Sequence, residues 1–372
     1  MAALDGVLVA DFSRVLAGPV ATMLLGDLGA DVVKVERPGT GDDTRSWGPP
    51  FRDGESTYNL SVNRNKRSVE LDLSNPSDRE LARTLALRAD VLVENFHVGA
   101  AERYGLGYDD LRPENPGLVY CSISGFGREQ GAALAGYDFI LQAVGGLMSI
   151  TGDEEPRKVG VALVDVVAGL YATVGILAAL NARAGSGQGQ RVDVNLLSSV
   201  LAAMVNQSSA YVAGGVVPGR MGNAHPSIAP YETLNAADGP LAVAAGNDRQ
   251  FAALCTVLGR EELASDPRFA SNSGRVTNRA ELAEELERAL SSRDVADWVG
   301  SLSEAGVACG PVNDIAAAFD LAASLGLAPV VEGRVPTVAD PIGLSRDPVG
   351  YERPPPLLGE HSDEIRAWLG SP

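Results

Sequence analysis

Residues 7–36 read VLVADFSRVLAGPVATMLLGDLGADVVKVE, and this stretch decides the fold. Val7–Asp11 is a short apolar run, Gly18–Leu28 carries apolar residues at helical spacing, and Asp31–Glu36 (DVVKVE) is again strand-like. Two strands joined through one helix by short connections make a βαβ unit, which favours a parallel sheet with helices packed on it. The pattern repeats downstream. Ser68–Leu73 is extended, Asn75-Pro76-Ser77 starts a helix over Asp78–Arg88, and Ala89–Glu94 (ADVLVE) is a strand. Leu118–Ser124 (LVYCSIS) is another strand, ending in the loop Gly125-Phe126-Gly127. The expected fold is an open α/β layer.

Beyond this layer the period becomes helical, over Tyr137–Ile150 and Leu163–Ala182. The second stretch is apolar nearly all round, as in a core helix or one at a large subunit interface. Its most apolar run, Val166–Leu180, has 15 residues and contains Gly169 and Gly175, which is short for a bilayer span. Gly185–Gly189 breaks the helix, Arg191–Val194 is a short strand, and Leu196–Gly214 reads as one long helix. Residues 214–231 are rich in Gly and Pro, the composition of a linker or active-site loop. A strand at Leu241–Ala245 and amphipathic helices at Asn278–Leu290 and Asp294–Ala305 indicate a smaller α+β domain. The expected division is a large α/β domain over 1–200, a linker over 201–224, the small domain over 225–320, and a return over 321–372. The tail, PPPLLGEHSDEIRAWLG, ends in a helix after Gly359 that packs back on the first domain.

Charge narrows the partners. The 372 residues hold 30 Lys and Arg against 48 Asp and Glu, a formal net charge of −18. That balance argues against nucleic acid or an anionic membrane as the main partner, since both reward dense positive charge. An anionic ligand would need its cations gathered locally. Three cysteines, Cys121, Cys255 and Cys309, are an odd number without CxxC spacing, so neither a disulfide framework nor a zinc cluster is expected. The N-terminus has no basic segment and carries Asp5 and Asp11 inside its apolar stretch. It does not read as a signal peptide, and a cytoplasmic location is expected.

Several residues stand out chemically. The first strand–helix turn, Ser13-Arg14-Val15-Leu16-Ala17-Gly18-Pro19, lacks the GxGxxG of dinucleotide sites. Arg37, Lys66 and Arg67 lie near strand ends, where they either converge on a phosphate or belong to solvated loops. Asp165 interrupts the apolar stretch Val159–Gly169. It reads either as a helix cap or as a desolvated carboxylate nucleophile. Asp138, after Tyr137, opens another helix as an N-cap or an acid/base residue. His97, His225 and His361 have no metal-ligand spacing, and no GxSxG elbow is present.

In this order the segments resemble the family III CoA-transferases, the group that includes formyl-CoA transferase, carnitine CoA-transferase and 2-methylacyl-CoA racemase. The carriers are Asp11–Pro19 (DFSRVLAGP), Leu28–Pro38 (LGADVVKVERP), Asn65–Ser68 (NKRS), Val93–Phe96 (VENF), Gly175–Leu180 (GILAAL) and Pro356–His361 (PLLGEH). The resemblance covers essentially the whole chain. It implies an interlocked homodimer, each subunit with a large Rossmann-like parallel-sheet domain built from both chain ends and a smaller inserted α+β domain. It implies that Asp165 is the nucleophile, and that Val15, Leu16, Ala17, Arg37, Lys66, Asn95, Phe96 and Arg103 line a coenzyme A site. Arg37, Lys66 and Arg103 are then expected on the phosphates. The implied activity is CoA transfer from an acyl-CoA to a small carboxylic acid through aspartyl anhydride and aspartyl-CoA thioester intermediates. CoA is a substrate there, and no tightly bound cofactor or metal is implied.

Two departures bear on the branch. Racemases have His-Asp where this chain has Tyr137-Asp138, so two-base proton exchange at an α-carbon lacks one base. Formyl-CoA transferase has a run of glycines where this chain reads Gly219-Arg220-Met221-Gly222-Asn223-Ala224-His225-Pro226. The GYD and GNAHP segments look like dicarboxylate transferases that use succinyl-CoA, with Arg220, Arg14 or His225 as candidates for a distal carboxylate. The alternatives are a racemase or epimerase using Asp138 and Asp165 as bases, and a non-catalytic acyl-CoA-binding protein.

Overall fold

The computed structural model describes residues 2–371. Six strands make one sheet: β1 (Leu8–Asp11), β2 (Asp31–Glu36), β3 (Lys66–Glu70), β4 (Val91–Glu94), β5 (Val119–Ser124) and β6 (Arg191–Asn195). Their order is β3-β2-β1-β4-β5-β6, and every neighbouring pair is parallel. Helix α1 (Ala17–Asp27) joins β1 to β2, and α2 (Pro76–Arg88) joins β3 to β4. The single turn α3 (Ala100–Arg103) follows β4, and α4 (Asp138–Val144) with α5 (Leu163–Ser186) fills the crossover from β5 to β6. The strand order reverses between β1 and β4. In open α/β sheets that switch point, at the carboxyl ends of the strands, is where ligands settle.

Both faces of the sheet are covered. On one, Val9, Val32, Val91, Val119 and Cys121 pack against Ala21 and Leu25 of α1 and Ala168, Ala172 and Ile176 of α5. On the other, Val33, Val35, Val69, Leu92 and Tyr120 meet Leu85 of α2 and Ile365 and Leu369 of the C-terminal helix. Residue 169 must be glycine for α1 and α5 to approach so closely, since a Cβ there would lie 2.7 Å from the Ala17 carbonyl oxygen. The 15-residue apolar run of α5 sits within a helix of 24 residues, long and apolar enough by length and composition to cross a membrane. Its inner side is part of the core just described.

After β6 the expected single helix is two, α6 (Leu196–Ala203) and α7 (Val205–Val212). The chain turns between them at Val205, whose φ is 35°. Residues 201–217 therefore belong to the large unit, which comprises 1–148, 158–217 and 328–372. The small unit takes 149–157 as well as 218–327, whereas the sequence reading set a linker over 201–224 and the small domain over 225–320. The small unit carries an antiparallel sheet of β7 (Tyr231–Asn235), β8 (Pro240–Ala244) and β9 (Ala308–Pro311), with β8 central. Helices α8 (Asp248–Val257), α9 (Arg279–Leu290) and α10 (Val295–Glu304) bury Phe251, Leu254, Leu286 and Trp298 against it. In the last part of the large unit α11 (Ser362–Gly370) returns to the sheet, where Arg366 pairs with Asp78 of α2 at 2.8 Å.

Candidate active site

The chain leaving β1 and the chain leaving β4 are tied together at the switch point. The Asn95 side-chain amide accepts from the Arg14 N–H at 2.8 Å and donates to the Arg14 carbonyl at 2.7 Å. Val15 then adopts a φ of 69°, a left-handed conformation costly for a β-branched residue. Asp42 holds it there, its carboxylate accepting the Val15 N–H at 3.1 and 3.2 Å. In a dinucleotide-binding protein this turn offers its N–H groups to a pyrophosphate. Here a carboxylate of the protein takes that place, which explains how the strand order exists without the glycine fingerprint.

Beneath the turn lies a buried charged cluster that the sequence reading missed. Asp11, Lys34 and Lys66 are fully buried, and Asp42 nearly so. Lys34 Nζ donates to the Ser13 carbonyl at 3.0 Å and to Asp42 at 3.1 Å. Burial alone would raise the Asp42 carboxyl, but the Lys34 ammonium and the Thr44 N–H hold it at about 2. Lys66 needs correction. It is the first residue of β3, four positions before the carboxyl end at Glu70, and its ammonium donates to Asp11, the Pro19 carbonyl and Asn63 at 3.0–3.1 Å. With all its donors used and no exposure, it is not available to a ligand phosphate. Its place in a basic segment and the family resemblance both point to that role, and neither shows where the amine is buried.

Above the cluster two cavities adjoin. One, of about 270 Å³, is lined by Arg37, Gly41, Leu71, Leu73, Arg103 and Tyr104. The other, of about 250 Å³, holds Val15, Leu16, Ala17, Asn95, Tyr137 and Asp165, with the 125–136 loop as its wall. Arg14, Phe96 and His97 line both, so one cleft runs from two arginines to one aspartate. The Arg14 guanidinium stands 6.0 Å from the Phe96 ring centroid and 3.6 Å from Asp43. Arg37 is half exposed, with Nε on the Gly41 carbonyl at 3.3 Å and its guanidinium on Asp43.

Asp165 is the third residue of α5 and only 9% exposed. Its carboxyl is pushed up to about 7, chiefly by burial and further by the Asp138 charge. No cation among the described residues forms an ion pair with it. Asp138 faces the start of α5, its Oδ1 accepting the N–H groups of Val164 at 2.8 Å and Asp165 at 3.4 Å. The carboxylate expected as an N-cap or an acid/base residue is not the cap of its own helix, where Tyr137 holds that position, but accepts N–H groups of the helix that carries Asp165. Tyr137 is exposed on the cavity wall. Within the small unit Arg220 donates to the carbonyls of Asp153 and Glu154 at 3.0 Å, and His225 tilts on Tyr231 with ring centroids 5.2 Å apart. A buried carboxylate held back from ionisation, at one end of a cleft with cations at its other end, suits attack on an anionic, extended substrate.

The arginines give a direct expectation. Replacing Arg37 and Arg103 together with Met should weaken binding of an anionic ligand in this cleft by about tenfold or more per guanidinium. An unchanged affinity would mean that neither guanidinium meets the ligand's charge.

The family model described as CoA-transferase family III matches residues 4–362. The chain is 43% identical over 374 residues to the succinyl-CoA:glutarate CoA-transferase of Mus musculus, covering 98% of this chain and 86% of that one. It is also 43% identical over 381 residues to the succinate–glutarate CoA-transferase of Agrobacterium fabrum, covering 98% and 95%. Among solved structures it is similar to a CAIB/BAIF family protein from Brucella suis, with a TM-score of 0.89 at 45% identity over 98% of this chain and 99% of that one.

Proposed function

The chain belongs to CoA-transferase family III, and from that premise we propose that it moves CoA from a succinyl-CoA-type donor to a dicarboxylic acid through covalent intermediates on Asp165. The observation that carries this reading is Asp165 itself, buried without an ion-pair partner at the other end of a cleft that begins at Arg37 and Arg103. The names of the relatives support a dicarboxylate on both sides of the exchange.

The Asp165 carboxylate adds to the donor thioester carbonyl and expels CoA thiolate, leaving an aspartyl–acyl anhydride. The thiolate then attacks the aspartyl carbonyl of the anhydride, forming an aspartyl-CoA thioester and releasing the donor carboxylate. The acceptor carboxylate attacks that thioester, and the thiolate, expelled again, takes the acceptor acyl group and returns Asp165 as carboxylate. Protons balance without a dedicated acid or base, which fits a site whose second carboxylate caps a helix. Water must be excluded while the anhydride exists. The acyl end of the cleft, walled by Leu16, Phe126, Leu134 and the glycines at 125, 127, 131 and 136, is suited to that. A racemase reading is less well supported, because Asp138 already accepts two N–H groups of α5.

A homodimer belongs to the same proposal. Leu170, Tyr171 and Val174 of α5 are 44–64% exposed, and Val205 and Val212 of α7 are 71% and 82% exposed. Apolar side chains exposed in such number call for a cover. The test of the activity is to supply succinyl-CoA with glutarate, oxalate, acetate and other acids in turn and to follow each acyl-CoA product. Exchange with dicarboxylates, at rates at least tenfold above acetate, is expected. Hydrolysis alone, or exchange of the α-proton without transfer, would contradict the proposal.

A further inference from the structure

The Asp138 carboxylate has two oxygens with two different tasks. Oδ1 takes the free N–H groups of Val164 and Asp165, donors that no residue of the first turn of α5 can satisfy from its own side chain. Oδ2 accepts a hydrogen bond at 2.8 Å from Nε2 of Gln142, one turn later on α4 and fully buried. The orientation of that amide is not free. Gln142 Oε1 accepts the Val159 N–H at 2.8 Å, while Nε2 also donates to the Val161 carbonyl at 3.2 Å. Only an acceptor can therefore stand where Oδ2 stands. The side chains of α4 thus hold both the segment entering α5 and the first turn of α5.

We propose that Asp138 and Gln142 are a positioning pair, which fixes the first turn of α5 so that the Asp165 carboxylate is aimed into the cleft, without either residue touching the substrate. The inference rests on the reading of Asp165 as nucleophile. It also assigns Asp138 an electrostatic effect. The N–H groups at a helix N-terminus ordinarily favour an ionised neighbour. By accepting those N–H groups and adding a like charge, Asp138 makes Asp165 harder to ionise and, once ionised, more basic and more nucleophilic.

Other groups around Asp165 leave Asp138 as the charge that matters. The Tyr58 phenol, pushed up to about 12 by burial and by the charges of Asp165, Asp138 and Asp42, is neutral. Tyr137, His97, Arg14 and Asp43 lie on the cavity wall, where Arg14 and Asp43 pair at 3.6 Å, and the charge that acts on Asp165 is that of Asp138. Lys158 donates to the carbonyls of Val159 and Gly160. Along α1 the first ionisable residue is Asp27, which pairs with Arg64, and α6 has none. On β5 the Cys121 thiol is pushed up by burial, and on β6 Arg191 pairs with Asp193.

The test compares Asp138→Asn and Gln142→Leu with the wild type in the full transfer assay across pH. The donor is succinyl-CoA, thermal stability is measured in parallel, and adducts at Asp165 are mapped. In Asp138→Asn the new amide N–H₂ would face the Gln142 donor, and the like charge is gone. We expect kcat to fall about 10- to 100-fold with KM for the donor nearly unchanged. The acid limb of the pH profile should move down by about one unit. Gln142→Leu keeps the charge, so it should lower kcat by a smaller factor and leave the limb in place. The double variant should be no worse than Asp138→Asn alone. An unmoved acid limb in Asp138→Asn, or a kcat loss that follows only the loss of folded protein, would overturn the proposal. If Asp138→Asn does not fold, Gln142→Leu decides: kcat unchanged from wild type would overturn it. Absence of any adduct at Asp165 in the wild type would overturn the nucleophile reading instead, which separates the two failures.

Discussion

Replacing Asp165 with Asn is expected to abolish CoA transfer, with kcat falling on the order of 10⁴-fold or more, and at the same time to stabilise the folded chain above neutral pH. The first half follows from chemistry, because an amide cannot form the anhydride. The second follows from burial. The Asp165 carboxyl has an ordinary value of 3.8 and is raised to about 7 in the folded chain. Between those values the folded chain holds a proton that the unfolded chain has lost. Stability is therefore given up as pH rises through this window, and the full cost stands above pH 7. At about 1.4 kcal/mol per unit, the cost is on the order of 4 kcal/mol at most. Asn removes it. Thermal unfolding at pH 8 should then show a higher Tm for Asp165→Asn than for wild type, and the difference should vanish near pH 4. Turnover within tenfold of wild type, or a lower Tm at pH 8, would contradict this account of the site.

The second large effect is structural. Replacing Asp11 with Ala is expected to cost about 3–5 kcal/mol of stability, because it strands buried cations. The Asp11 carboxylate accepts from the Ser13 N–H at 3.0 Å, Ser13 Oγ at 2.5 Å, Thr22 Oγ1 at 2.7 Å and Lys66 Nζ at 3.1 Å. Burial alone would raise it, but Lys66, Lys34 and the two hydroxyls hold it below the usual carboxylate range. Without it, Lys34 and Lys66 stay fully buried, with Asp42 and Glu36 the carboxylates left beside Lys34 and none bonded to Lys66. Denaturant titration of the purified protein measures the loss. The double variant Asp11→Leu with Lys66→Met should recover part of it, since a charge removed together with its partner leaves nothing uncompensated. A loss under about 1 kcal/mol for Asp11→Ala would mean that water reaches the cluster.

How much of this was legible beforehand depends on what kind of interaction sets each feature. The unit over residues 7–36 appears as read, with β2 at Asp31–Glu36, because strand and helix periods are local. The strand order and the switch point are set by which crossovers pack on which face, and periodicity holds no record of that. The continuous helix expected over 196–214 is broken at Val205, whose φ of 35° is unfavourable for a β-branched residue and so is imposed by tertiary packing rather than by local sequence. At the site, Asp165 stands out as a charge in an apolar stretch and Arg37 as a cation near a strand end, whereas Arg103, Asn95 and Phe96 come from the family resemblance alone. Lys66 was misjudged because a cation in a basic segment looks the same in sequence whether its amine meets solvent or a buried carboxylate. Asp42 and Gln142 gave no signal at all. Their roles are visible only when Val15, 27 residues from Asp42, and Val159, 17 residues from Gln142, are brought against them. A buried Lys34 inside the strand DVVKVE was the one overlooked cue, since lysine rarely enters a covered sheet unless paired.

The most direct test of the central claim is to trap the enzyme in mid-reaction. The purified protein is incubated with succinyl-CoA alone, quenched with hydroxylamine, digested and mapped by mass spectrometry. Covalent transfer through Asp165 predicts a hydroxamate on the peptide carrying Val164-Asp165-Val166, dependent on the donor and missing from Asp165→Asn. Robust transfer with no donor-dependent hydroxamate at Asp165, or with the label on another carboxylate, would contradict it.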